Sequence, residues 1–406
     1  MTALVVHGIG TLCTCDPLAG DAPGLVRDAA LIARDGIITY AGPEATLDRS
    51  DVPRGALEIH ARGAAVIPGF VDAHTHIVWL GDRGDEYAQR AAGQSYEAIA
   101  AAGGGIRSTV RATVAGTVDE LATAARARAQ DMLAHGTTTV EVKSGYGLEH
   151  DAEMRQLDAA VRLGIWDDLP DVVPTYLPLH ALPDGSRDEY IDAVCTQGVA
   201  DGAKRARFVD AFCEAGAYTV EECERVFTAA RAHRLRAKIH AEQRSRSGGA
   251  LLAARAGAVS ADHLEYASDE DLQALATAGV VGVILPGASL VMGGPPPPGR
   301  RLLDAGCTVA VATDCNPGTS YTESMPLMIS LAVALGGLTP SQALVAATAG
   351  GAAALGLGDR GVLRAGMRCD AVILNTANWI DVAYHLGGDI VATVVRQGRL
   401  AVPSKA

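Results

Sequence analysis

Four segments of this chain share one design: a short apolar run that reads as a buried strand and stops on a side chain able to bind a metal. The first run, Ala64-Ala65-Val66-Ile67-Pro68-Gly69-Phe70-Val71, leads into Asp72-Ala73-His74-Thr75-His76. Residues two apart on a strand point the same way, so His74 and His76 project together from its C-terminal end and form half of a divalent metal site. Two histidines packed among apolar neighbours are the ordinary alternative for one such pair. Further ligand types follow. Ala237-Lys238-Ile239-His240 ends in histidine, as does Val259-Ser260-Ala261-Asp262-His263, and Thr308-Val309-Ala310-Val311-Ala312-Thr313-Asp314 ends in a carboxylate. Each is followed by a helical stretch. Functional groups gathered at the C-terminal ends of strands that alternate with helices are how a (β/α)8 barrel builds its active site.

The rest of the chain suits that architecture. Its 406 residues hold one large barrel and a small second domain. Apolar residues make up 49% but aromatic ones only 4%, so the core is built of Ala, Val, Leu and Ile. A net charge of -13 argues against a nucleic-acid surface. It says little about a small anionic substrate, which one local Arg can hold. The eight cysteines are scattered and form no CxxC pair, which suits free thiols in a reducing cytosol. Met1–Val6 lacks the basic start and long apolar stretch of a signal peptide, and no segment reaches the ~18 apolar residues of a membrane span.

Both ends of the chain read as β-structure. Ala3–Gly10 and Leu31–Gly42 are strand-like, the latter broken by the turn Arg34-Asp35-Gly36, and Asp370–Leu374 and Ile390–Arg399 are strands again. Between them strands and helices alternate. A helix is expected over Thr117–Ala134, a strand over Thr137–Lys143, a helix over Asp151–Leu163, a strand over Val172–Tyr176, and a helix from the capping box Thr219-x-x-Glu222 to His233. Pro295–Pro298 is a rigid loop between the strand Val280–Leu285 and the helix Arg300–Ala305. The simplest arrangement is a barrel inserted into a small β-domain made of both termini.

Several runs are more specific. Pro68-Gly69-Phe70-Val71-Asp72-Ala73-His74-Thr75-His76, residues 102–111 (Ala-Gly-Gly-Gly-Ile-Arg-Ser-Thr-Val-Arg), Glu141-Val142-Lys143-Ser144-Gly145-Tyr146-Gly147-Leu148, Ile239-His240-Ala241-Glu242-Gln243, Ser260–Glu265 and Thr313–Ser320 together resemble the amidohydrolase superfamily, and within it the imidazolonepropionase family, over nearly the whole chain. The resemblance implies an α/β fold, a distorted (β/α)8 TIM-type barrel over 66–364 with a small β-sandwich domain from 1–65 and 365–406. It implies one divalent metal per chain, zinc or iron, held by His74, His76, His240 and Asp314. It places Arg83 on the substrate propionate and Tyr146, His180, Gln243, Asn316, Gly318 and Thr319 around the rest of the ligand. Glu242-Gln243 replaces an Asp-Glu pair, which leaves open which of the two moves protons. The segment Ala181–Ser186 after His180 looks shorter than usual. A homodimer in the cytoplasm is the family's expectation.

The implied reaction is hydrolysis of the ring amide of 4-imidazolone-5-propanoate to N-formimidoyl-L-glutamate in histidine degradation. Water attacks an amide poorly, and a divalent metal lowers the pKa of bound water to about 7. The catalytic residues would be Asp314, accepting the water's proton, His263, polarising the carbonyl or relaying a proton, and Glu242. The guanidinium fork of Arg83 suits a carboxylate. Arg107 and Arg111 are helix-spaced and stay unassigned. Lys143 stands at a strand end, so spacing alone permits a carboxylated lysine and a second metal with His180; the surrounding Ser-Gly-Tyr-Gly run favours one metal, with Lys143 as a support. The alternatives are a related cyclic amidohydrolase or aminohydrolase for another carboxylate-bearing heterocycle, and a non-catalytic scaffold. The full ligand set argues against the scaffold, and the presence of Arg83 favours a carboxylate-bearing ring.

Overall fold

In a computed structural model, residues 2–19, 22–48, 50, 52–94 and 104–403 are described. The N-terminal strands are β1 (Ala3–Cys13), β2 (Leu25–Arg34), β3 (Ile37–Pro43), β4 (Leu57–His60) and β5 (Ala65–Pro68). Eight barrel strands follow: β6 (Phe70–Asp72), β7 (Thr137–Lys143), β8 (Asp171–Leu179), β9 (Phe208–Cys213), β10 (Arg236–Ala241), β11 (Ser260–His263), β12 (Val281–Ile284) and β13 (Val309–Val311). The C-terminal strands are β14 (Ala371–Leu374), β15 (Val391–Arg396) and β16 (Arg399–Val402).

β6 to β13 pair in chain order, all parallel. The two ends of this sheet meet just past the strands. Thr75 bridges Cys315, His76 N–H donates to Cys315 O at 3.0 Å, and Asp314 N–H donates to His74 O at 3.0 Å. The barrel therefore closes at the residues expected to hold the metal. Alternation sets what each strand presents. On β7, Val140 and Val142 join the apolar cluster with Leu121, Ala125 and Met132 of helix Val118–Ala134 and with Leu163. Glu141 and Lys143, of opposite parity, are fully buried on the inner side. Helix Val220–Ala232 starts at the expected capping box, Thr219 with Glu222, and the helix before β7 starts at a second one, Thr117 with Glu120.

The terminal strands form a second eight-stranded sheet in the order β16-β15-β14-β5-β1-β2-β3. It forks at β1, which carries β4 along its first half and β5 along its second, both parallel to it. Beyond the other edge, Ile38 exchanges backbone hydrogen bonds with Gly366 and Met367, so the sheet curls round a core that includes Leu4, Leu31, Val66, Leu363 and Val395. The β2–β3 turn is Asp35-Gly36, both in the left-handed region, as a tight hairpin requires.

Two expectations need correction. The run Ala64–Val71 is not one strand. At Gly69 the backbone changes sheets: its N–H donates to Asp370 O of the terminal part, and the next N–H, of Phe70, donates to Gly136 O of the barrel. A Cβ on Gly69 would collide with Thr138. The chain thus enters the barrel a few residues after the expected 65/66 division. The run 390–399 is likewise two strands, β15 and β16, because Gln397-Gly398 turns with φ of 51° and 68°. A short helix, Pro286–Met292, also stands between β12 and the proline loop, where none was expected. Among the described residues no helix is long and apolar enough to cross a membrane.

Candidate active site

At the C-terminal mouth of the barrel three imidazoles turn one nitrogen each to a common point. His76 Nε2 lies 3.3 Å from His74 Nε2 and 3.4 Å from His240 Nε2. Asp314 Oδ1 lies 3.5 Å from Nε2 of both His74 and His76. His74 and His76 extend the line of β6, His240 sits on β10, and Asp314 follows β13. The backbone of Asp314 has φ +51°. A non-glycine residue in that region costs about 1–3 kcal/mol and persists only where its surroundings over-determine it. Here Asp72 supplies the constraint, taking Thr313 N–H at 3.1 Å and Thr313 Oγ1–H at 2.6 Å and so locking the first and last barrel strands together.

The donor set fits a divalent cation. His74 Nδ1 is 2.6 Å from Asp262 Oδ2, so it carries the hydrogen and leaves Nε2 with a lone pair. His240 Nδ1 is 3.1 Å from Asp210 Oδ2, close though not aligned as a hydrogen bond. Burial, with Lys143 or His180 beyond it, holds His74 and His76 well below the ordinary histidine range, and burial also lowers His240. Neutral imidazoles whose lone pairs converge beside a carboxylate lack a positive charge between them, and imidazole with carboxylate is a donor set for a divalent metal.

The remaining predicted residues surround a cavity of about 530 Å³ above this point, lined by His76, Arg83, Tyr146, His180, His240, Gln243, His263, Asp314, Asn316, Gly318 and Thr319 among others. His180 stacks on His76 with centroids 4.9 Å apart, and its Nδ1 meets Gly145 O at 2.9 Å. Gly145, at φ +115°, has no room for a Cβ, which would strike the His180 ring. The loop carrying Tyr146 is held from below. Glu153 accepts the N–H groups of Gly145, Gly147 and Leu148, and Gln156 accepts that of Tyr146. Arg83 donates through Nε to Glu86 at 2.8 Å, and its Nη1 packs against Gly318, where a Cβ would strike it. His263, at φ +80°, is 3.8 Å from Glu265. Burial opposes its charge, but Glu265, with Asp314 and Asp262 beyond, outweighs burial and lifts its pKa. Burial pushes the Asp314 carboxyl up to about 7. Asn316 spends its amide on its own loop, accepting from Gly318 N and Thr319 N and donating to Asp314 O.

Glu242 is a correction. Its carboxylate turns away from the cavity and accepts the N–H groups of Ser247, Gly248 and Ala250 at 3.1–3.4 Å, at the start of helix Gly249–Ala256. A carboxylate there complements the helix N-terminus, and that use explains the residue without proton transfer. Gln243, the next residue, does face the cavity. Arg107 pairs with Asp184 and donates to Leu182 O, so it braces the segment after His180. The first two residues of the glycine run, 102 and 103, lie outside the described residues.

Sequence reasoning missed Arg90, which lines the cavity and donates to Gly318 O at 2.8 Å, and the wall residues Phe212, Arg244, Val291 and Met292. It also missed Asp210 and Asp262. Asp210 had a signal: an acid at the centre of the apolar run Phe208–Cys213 has to face a partner.

The sequence model of the amidohydrolase family matches residues 65–401. The imidazolonepropionase of Deinococcus radiodurans is 45% identical over 406 residues, covering 98% of this chain and 99% of its own. That of Cupriavidus necator is 46% identical over 393 residues, covering 94% and 92%. Among solved structures, 5-methylcytosine deaminase from Klebsiella pneumoniae superposes with a TM-score of 0.76 at 18% identity, covering 99% of this chain and 98% of its own. N-isopropylammelide isopropylaminohydrolase from Burkholderia multivorans gives 0.73 at 19%, covering 98% of each. At such identities the solved structures speak for the fold alone.

Proposed function

The chain belongs to the amidohydrolase family and, within it, to the imidazolonepropionases, and on that premise we propose how its residues carry out the reaction. It is a hydrolase acting on a cyclic amide C–N bond: 4-imidazolone-5-propanoate and water give N-formimidoyl-L-glutamate. The water oxygen joins the ring carbonyl carbon, the bond from that carbon to the ring nitrogen breaks, and the nitrogen leaves with a proton. The observation that carries the residue assignment is the shared cavity. His76, His240, His263 and Asp314 line one part of it, and Arg83 with Arg90 lines another.

His74, His76, His240 and Asp314 would hold one divalent metal, zinc or iron, which when bound lowers the pKa of a water to about 7 and supplies hydroxide at neutral pH. Asp314 takes the proton lost by the attacking water and returns it to the leaving nitrogen. His263, favoured in its charged form by Glu265, polarises the ring carbonyl. Arg83 holds the propanoate with its Nη groups while Glu86 fixes its Nε side. His180, donating through Nδ1 to Gly145 O, keeps an Nε2 lone pair for a ring N–H. Tyr146 and Gln243 contact the ring, and Asn316 shapes the Gly318-Thr319 turn over it.

The second-metal alternative loses its chemistry. A lysine must be a neutral amine to be carboxylated, and Lys143 is an ammonium paired with Glu141, Asp210 and Asp262. We also propose a two-domain division, now with the crossover at Gly69, a homodimer and a cytoplasmic setting. The cytoplasm is supported by the unpaired state of all eight cysteines. The deciding experiment is turnover of freshly prepared imidazolone propanoate beside dihydropyrimidines, hydantoins and aminopurines. Preference for any of the latter by an order of magnitude would replace the substrate assignment.

A further inference from the structure

The barrel interior beneath the site is not the apolar layer that such barrels ordinarily pack. Glu141 and Lys143 of β7, Asp210 of β9, Lys238 of β10 and Asp262 of β11 all point inward and are wholly buried. Lys143 Nζ lies 2.7 Å from Asp210 Oδ2, 2.9 Å from Glu141 Oε2 and 3.6 Å from Asp262 Oδ2. Lys238 Nζ donates to Glu141 Oε2 and to Ala73 O, both at 2.9 Å. Thr175 Oγ1 donates to Glu141 Oε1, and Ser260 Oγ donates to Asp262 Oδ1. Buried ion networks are weak stabilisers compared with apolar residues of the same volume. Their presence therefore calls for a use other than stability.

The connections supply one. The oxygen of Asp210 that meets Lys143 is the one beside His240 Nδ1, and the oxygen of Asp262 nearest Lys143 is the one bonded to His74 Nδ1. One ammonium thus stands behind two acids, each behind an imidazole of the proposed metal set, and those imidazoles come from opposite sides of the barrel, β6 and β10. Lys238 has the same burial and shares Glu141, but touches neither acid. We propose that Lys143 is a positioning residue that holds Asp210 and Asp262 where they fix the ring orientation and tautomer of His240 and His74 together, so that two ligands from distant strands are aimed by a single cation. This rests on the metal-site reading above.

The test measures zinc affinity of the metal-stripped chain by competition with a chromophoric chelator, with thermal unfolding of the metal-free protein alongside. Lys143→Gln should weaken zinc binding 10–100-fold, the range for loss of an outer partner of a metal ligand. Asp262→Asn should do the same, and the double variant should fall little below the weaker single one, because both changes break one linkage. Lys238→Met should lower the unfolding temperature but shift zinc affinity less than about threefold. Should Lys143→Gln fail to fold, Lys143→Gln with Glu141→Gln keeps the cluster's net charge and still lacks the link, and it too should lose 10–100-fold. Recovery of wild-type affinity in that pair would show that Lys143 only balances charge, and fully additive losses or an equal loss in Lys238→Met would show a general structural role. Each of these overturns the proposal. Failure of the wild-type chain to bind one zinc would instead overturn the metal-site reading.

Discussion

If Arg83 reads the propanoate, replacing it should damage only ligands that carry a carboxylate. Its side chain is 9% exposed, its Nε is spent on Glu86 at 2.8 Å, and Nη1 lies against the Gly318 backbone. A carboxylate would meet the Nη end of the guanidinium in up to two charge-assisted hydrogen bonds. These contribute about 1.5–3 kcal/mol each, so kcat/KM for imidazolone propanoate should fall at least about 10²-fold in Arg83→Met. That variant alone confuses two effects, because it leaves Glu86, 13% exposed, as an unpaired anion near the incoming carboxylate. Arg83→Met with Glu86→Gln removes that repulsion and isolates the lost hydrogen bonds. A ring analogue without the carboxylate should be a poor substrate for the wild type and equally poor, within about threefold, for the double variant. Steady-state kinetics of two substrates on both proteins close a cycle whose coupling term should be near the full loss. Equal weakening of both substrates would refute the reasoning and make Arg83 a brace for the Asn316–Thr319 loop.

His240→Ala should drop bound metal far below one per chain, read by elemental analysis, with activity falling in parallel. Asp314→Asn should cost turnover at least about 10²-fold, more than it costs metal affinity, and a turnover within a few-fold of wild type would remove the shuttle role. Glu242→Ala should lower stability by about 1–2 kcal/mol in denaturant unfolding, the range for a lost helix cap, while Glu242→Gln should keep most activity, since the corrected role is structural. Asp171 joins Arg360 Nη1 at 2.9 Å, Arg396 Nη1 at 2.6 Å and Arg368. Burial works against its charge, but Arg368 and Arg360 outweigh it and hold the carboxyl below its ordinary value. A depressed folded pKa stabilises above the unfolded value of about 4 and loses that stabilisation as pH falls through the folded one. Asp171→Asn should thus unfold at a lower temperature than wild type at neutral pH, with the gap constant down to about pH 4 and narrowing below it.

What was legible in the sequence is what local chemistry sets. Thr117 and Thr219 announce helix starts because their partners Glu120 and Glu222 lie within one turn. His74, His76, His240, His263 and Asp314 stood out because each ends a strand-like run; the resemblance, not the spacing, selects four of them as a ligand set, and in the structure those four lie together. Less visible was anything decided by distant segments. Gly69 gives no local sign that Asp370 on one side and Gly136 on the other will pull the chain into different sheets. Glu242 sits one residue from the cavity-facing Gln243, and only the amides of Ser247, Gly248 and Ala250 decide that it turns outward. Spacing alone allowed Lys143 to be either a second-metal ligand or a support, and nothing local shows the three acids from three strands that surround it.

The terminal sheet is more than an appendage to the barrel. Strand β5 pairs with β14, Val66 to Pro68 opposite Ile373 to Ala371, and one residue later the chain becomes β6. His74 and His76 are therefore only six and eight positions beyond a register fixed by C-terminal residues. Gly69 transmits that register directly, since its N–H is bound to Asp370 O, and Asp370 in turn takes the Gln397 N–H at 2.7 Å and faces Arg368 at 2.8 Å. At the same N-terminal rim of the barrel, Asp171 at the start of β8 gathers Arg360, Arg368 and Arg396 from the same C-terminal region. Two ties, joined through Arg368, thus hold sheet and barrel in one relation, one feeding the first strand and one gripping the third. The proposed metal site, with its four residues drawn from the first, fifth and eighth strands, needs the first strand to stay in register with the others. Its own span of Phe70–Asp72 is too short to secure that alone, and the C-terminal strands supply what it lacks.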